Sequence, residues 1–177
     1  IKANLEKLTS QSWFDNEVNQ SDLAGFVEST SQSAMDLLHG PSEQCVAIIS
    51  NVHQSGKGFH AYRDHKRSYS VRLGLYKMKE QPKAGCYVQL TLSADDGAVI
   101  AASPCGAVAV NDVGVEQGQI KVSEKGFGFV NGVFVPPHLI DAGINEEQVN
   151  IVKILDFDKT KNKPSWKAIT LELVPPS

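Results

Sequence analysis

Several kinds of chemistry are missing from this 177-residue chain. Its three cysteines, Cys45, Cys86 and Cys105, are odd in number and widely spaced, which argues against a disulfide framework. Reduced thiols in an intracellular compartment are expected instead. No Cys-x-x-Cys pair occurs, and the five histidines, at 39, 53, 60, 65 and 138, show no metal-ligand spacing with the cysteines. No apolar run approaches the length of a membrane span, and the N-terminus lacks a signal-peptide pattern. The chain begins at Ile1 rather than Met, as a piece of a longer protein would.

Catalytic patterns are absent as well. There is no Gly-x-Ser-x-Gly and no His-Glu-x-x-His. Gly56-Lys-Gly58 and Gly126-Phe-Gly128 belong to strand entries rather than to a phosphate-cradling loop. Asp156 and Asp158 share a strand face, but Lys159, Lys161 and Lys163 around them mark an exposed charged hairpin. No catalytic residue, metal or cofactor is expected.

What is present is an ordinary core-forming composition, 41% hydrophobic and 21% charged, enough for one domain or two small ones. The net charge of −3 argues against a generic polyanion binder, yet the charge is segregated. Residues 1–43 hold two Lys/Arg against seven Asp/Glu, residues 44–105 hold eight against four, and residues 106–177 hold seven against nine. Only the middle block is basic.

Along the chain, residues 1–43 carry a helical pattern. After Ser21, a plausible N-cap, Leu23, Phe26, Val27, Ala34, Met35 and Leu38 form a stripe near the helical period that stops at Gly40-Pro41. That helix would either cap the following fold or dock a protein partner. From Cys45 the pattern turns to strands: Val46–Ile49, Phe59–Arg63, Tyr69–Leu75, Cys86–Leu92 and Ala98–Ala102, separated by turn-rich pieces. Five short strands with such punctuation predict a small barrel.

The most informative stretch is Lys125–Ile140. Two short strands are joined by Asn131-Gly132, the dipeptide of a tight type I′ hairpin turn. Alternation puts Phe127 and Phe129 on one face and Gly128 and Val130 on the other; Phe134 faces away from Val133 and Val135. One face is aliphatic and the other carries three phenylalanines. Glycines at 126 and 128 would let a flat partner approach the backbone. Stacked bases suit such a face, and so does packing under a neighbouring loop or domain.

Lys125-Gly-Phe-Gly-Phe-Val130 resembles the first nucleic-acid-binding motif of the cold-shock domain family, and Val133-Phe-Val135 resembles its second. Gly118-Gln-Ile-Lys121 is similar to that family's first strand, and Val149–Ile154 and Trp166–Leu171 fall where its fourth and fifth strands belong. The resemblance covers residues 109–174 and is strongest at 118–140. It implies a five-stranded OB-type barrel that binds single-stranded RNA or DNA on the aromatic face. Val122 stands where a tryptophan is usual, and Pro136 and Pro137 replace a histidine and an aromatic.

An internal comparison extends the resemblance. Lys57-Gly-Phe-His-Ala-Tyr62 aligns with Lys125–Val130, and Val71-Arg-Leu73 with Val133-Phe-Val135. In that alignment Phe59 is retained while Ala61 and Arg72 take the places of Phe129 and Phe134. The expectation is therefore all-β: two tandem OB-type, cold-shock-like barrels, over 44–105 and 106–177, behind a short helical segment at 1–43. The resemblance implies a single-stranded nucleic-acid binder, RNA before DNA, using Lys125, Phe127, Phe129, Phe134 and His138. Lys57, Phe59, Arg63, Lys66, Arg67 and Arg72 would add stacking and positive charge from the first copy. The rival from another class is a protein-interaction module that keeps the barrel and uses it for assembly.

Overall fold

The computed structural model describes residues 40–176. The helical segment expected over 1–43, and the protein docking considered for it, lie outside the described residues except at the end, where Ser42 and Glu43 already open a strand. Among the described residues the regular structure is ten strands and two 3-10 turns, an all-β architecture.

The first sheet contains β1 (Ser42–Val52), β2 (Gly58–Asp64), β3 (Arg67–Arg72), β4 (Tyr87–Ser93) and β5 (Val99–Pro104). Their order is β3-β2-β1-β4-β5. The two edges approach each other just after β3, where Tyr76 forms one parallel bridge with Ala102 and Lys77 N donates to Ala102 O at 2.9 Å. This half is thus a curled sheet held by one bridge, rather than the closed barrel expected. β3 stops at Arg72 and a 3-10 turn, Leu73–Leu75, follows at once, so too little extended backbone remains to pair along β5.

The second sheet closes. It contains β6 (Val113–Val122), β7 (Gly128–Val130), β8 (Val133–Val135), β9 (Gln148–Asp158) and β10 (Lys163–Leu173), in barrel order β10-β8-β7-β6-β9. Shifted by five strands, this is the neighbour order of the first sheet, with the parallel seam in the same place. β6, β9 and β10 run well beyond the segments read from sequence, because pairing continues through their polar ends. Asn131 and Gly132, at φ 48° and 86°, both adopt the left-handed backbone that a type I′ turn requires.

Alternation produces the cores. In β4, Val88, Leu90 and Leu92 are buried and the residues between them are not. They pack with Ala47, Ile49, Phe59, Ala61 and Val71 inside the first sheet. Ile120, Val130, Val133, Val135, Val149 and Ile151 fill the second. A third cluster joins the halves: Ile48 and Tyr62 of the first against Ile154 and Ile169 of the second. β1 is therefore buried on both faces, Ala47 and Ile49 inward and Ile48 outward. Tyr62 Oη donates to Leu155 O at 2.6 Å, and Asp112 between the sheets accepts from both the backbone N–H and Nδ1 of His65, at 3.2 and 2.7 Å. Apolar burial and these bonds hold the two halves together.

Candidate nucleic-acid interface

The hairpin β7–β8 turns its aliphatic side into the barrel and its aromatic side outward. Gly128 and Val130 pair with Val135 and Val133, all four buried, while Phe129 pairs with Phe134. The rings of Phe127, Phe129 and Phe134 form one cluster, with centroid separations of 5.8, 5.8 and 5.9 Å. Phe129 is 42% exposed and the other two are half-buried. The two contacts of Phe129 are edge-to-face and that of Phe127 with Phe134 is tilted, so the rings are fixed while π-faces stay available.

Register extends this face across the sheet. Phe129 pairs with Lys121 on β6, and Phe134 pairs with Lys167 across the parallel β8–β10 seam. One row therefore runs Lys121, Phe129, Phe134, Lys167, two rings between two cations. Beside the row is a groove of about 400 Å³ lined by the three phenylalanines, Trp166, Lys161 and Lys167, with Asp156 and Asp158 on its wall. Lys161 lies 3.7 Å from Asp158 and Lys167 3.9 Å from Asp156. The backbone N–H of Lys161, bonded to the Asp158 carboxylate, holds its pKa below the usual range. The groove thus combines aromatic surface, two lysines and two hydrogen-bond acceptors.

Trp166 is set from behind. Lys153 Nζ sits 4.8 Å from its ring centroid and 2.7 Å from Glu116, whose other oxygen accepts from Asn131. Hydrogen bonds from Lys153 first and Asn131 second hold the Glu116 carboxyl below its ordinary pKa. A bonded chain therefore runs from the hairpin turn to the groove's indole.

Two readings of the glycines and the first sheet change. Gly128 faces inward, not toward a ligand: a Cβ there would lie 3.1 Å from Ile120 Cδ1 and 3.1 Å from Lys121 O. Gly126, at φ 83°, is required by the turn into β7. Phe59 is fully buried and pairs with Val52 and Val71, so it belongs to the core and not to a stacking face. Matched by pairing and burial, Phe59 corresponds to Gly128, and it is His60 opposite Ser70 that stands where Phe129 stands opposite Phe134. Ala61 and Arg72 do not occupy those places: Ala61 is inside the core, and Arg72 pairs with Gly58 one position further along.

Two arginines of the basic block face acids. Arg63 lies 3.2 Å from Glu43 and 3.5 Å from Tyr69 Oη, and Arg67 lies 3.0 Å from Asp64. Lys57, Lys66 and Arg72 are exposed. On the second sheet Lys125 is exposed in the turn before β7, and His138 is exposed in the 3-10 turn after β8. Pro136 is buried and Pro137 begins that turn. Lys121, Lys167 and Trp166, which the fold places beside the rings, were not among the candidates read from the sequence. Their one signal was strand register, which no local motif carries.

Residues 115–171 match the family described as "S1/CSD-like domain 2 of the TOTE conflict systems". Among solved structures the chain is similar to drosophila Unr CSD456, at 16% identity and a TM-score of 0.29, over 77% of this chain and 63% of that one. This chain thus spans less than two thirds of that structure's length. No curated protein matches it. No helix among the described residues is long and apolar enough to cross a membrane.

Proposed function

We propose that the cold-shock-like, OB-type barrel over residues 115–171 binds single-stranded nucleic acid, RNA in preference to DNA, along the row Lys121, Phe129, Phe134, Lys167. The observation that carries this reading is the row itself. Two phenylalanines in direct cross-strand register, flanked by lysines, match successive bases between phosphates. Lys125, beside the entry to β7, adds a further cation, and Trp166 and Phe127 extend the apolar wall. Asp156 and Asp158 contribute acceptors for base amino groups and for the ribose 2′-hydroxyl, the group that separates RNA from DNA.

The chain acts here as a binding module, and a catalytic partner domain would supply any chemistry. The test is fluorescence anisotropy with labelled oligouridylate and oligothymidylate. Binding that prefers the ribonucleotide and weakens in Phe129→Ala supports the reading. A protein that binds neither strand would refute it and leave the barrel to an assembly role.

A further inference from the structure

The aromatic groove does not end at the barrel's edge. A second groove of about 290 Å³ lies between the two sheets and shares Asp156 and Lys167 with the first. Its walls come from both halves: Asn51, His60 and Ser68 from the first, His138 and Lys167 from the second. The floor is Ile154 and Ile169, the apolar residues that join the sheets.

Its chemistry differs from that of its neighbour. Serine, asparagine and histidine side chains offer both donors and acceptors, and Lys167 at the junction is its one cation. His60 holds the pairing position that Phe129 holds in the other half, so the outward faces of both hairpins contribute to one path. A short hydrogen bond from Tyr62 to Leu155 and the apolar floor fix the two walls relative to each other.

We infer that the two grooves form one composite site, in which a single strand stacked on Phe129 and Phe134 passes Lys167 and continues between the sheets, its next bases held by His60, Asn51 and His138. This rests on the proposed binding of single strands by the aromatic face. The ligand is the same strand, and the first sheet lengthens the site without duplicating it. The aromatic groove serves stacking, which is tolerant of base identity, whereas the second groove offers hydrogen bonds that discriminate among base edges.

The experiment is an oligouridylate length series read by anisotropy on the whole chain, comparing four with eight nucleotides, since one OB-type barrel accommodates about four at the low end. The wild type should gain about tenfold or more in affinity between the two lengths, as one or two further held bases provide. His60→Ala combined with Asn51→Ala should cut that gain to roughly threefold or less. Both side chains are exposed, so thermal unfolding should confirm an intact fold, and Ser68→Ala provides an independent second variant on the same wall. Phe129→Ala should instead weaken both lengths. A wild type that binds four and eight nucleotides equally well, or a length gain untouched by all the wall variants, overturns the composite site while leaving the aromatic interface standing. A wild type that binds at neither length overturns both.

Discussion

Phe129 of β7 stands directly opposite Phe134 of β8, their ring centroids 5.9 Å apart, on the outer face of a hairpin whose inner face is fully committed to the barrel core. Binding surface and core are thus separated by the strand pleat alone. Phe129→Ala should lower single-strand affinity by roughly five- to 150-fold, from about 1–3 kcal/mol per stacked base. Its thermal midpoint should stay close to that of the parent, because the ring is 42% exposed. A collapsed midpoint with unchanged affinity per folded molecule would show the ring to be structural.

Phe59→Ala should behave in the opposite way. The side chain is fully buried between β1 and β3, so truncation should cost on the order of 3–5 kcal/mol in denaturant unfolding. Oligonucleotide affinity of the folded fraction should not change. A stable variant with weakened binding would return Phe59 to the binding face.

Gly128→Ala adds only a methyl group, yet it should destabilise the barrel by about 1–3 kcal/mol through overpacking. The new carbon would crowd Ile120 and the Lys121 carbonyl, both at 3.1 Å. Ile120→Val in the same chain should recover part of the loss. No recovery would place the cost in the backbone contact instead of the side chain.

Salt dependence separates the two groups of cations. Charge reversal of Lys121 and Lys167 should make the log–log salt slope shallower by about 1.4, at about 0.7 per phosphate contact. Arg63→Ala with Arg67→Ala should leave it unchanged, because Glu43 and Asp64 hold those side chains on the first sheet, off the row of Lys121 and Lys167. The opposite pattern would move the phosphate path to the first sheet.

The contacts between the halves should show at both ends of the pH range. Burial, ahead of the neighbouring carboxylates, pushes the Tyr62 phenol upward. Its contribution is fully present below the unfolded value near about 10 and is lost as pH rises through the folded one. Asp112 runs the other way. Its hydrogen bond with the His65 ring, then the one from the His65 N–H, hold its pKa down, so its contribution is present above the unfolded value and lost as pH falls through the folded one. Tyr62→Phe should flatten the alkaline limb of the stability profile, and Asp112→Asn the acid limb. Unchanged limbs would mean that these bonds form equally in the unfolded chain.

The sequence by itself determined what is local. Asn131-Gly132 specified its turn because asparagine and glycine both tolerate the left-handed backbone of a type I′ hairpin, and alternation on either side specified which residues share a face. The three clustered phenylalanines and the all-β character follow from those local preferences. Alternation does not say which face looks inward. For Lys57–Tyr62 that was decided by register with the flanking strands, Val52 of β1 on one side and Val71 of β3 on the other, and by the core they enclose, which took in Phe59 and turned His60 out. Register likewise brought Lys121 and Lys167 beside the rings, Lys121 from the adjacent strand β6 and Lys167 through the β8–β10 seam between strands distant in sequence. Tertiary structure alone decided that the first sheet remains joined by one bridge, that Arg63 and Arg67 face acids, and that Ile48 and Ile154 meet between the halves. Each depends on non-local apolar burial or charge pairing, which only the assembled sheets bring together.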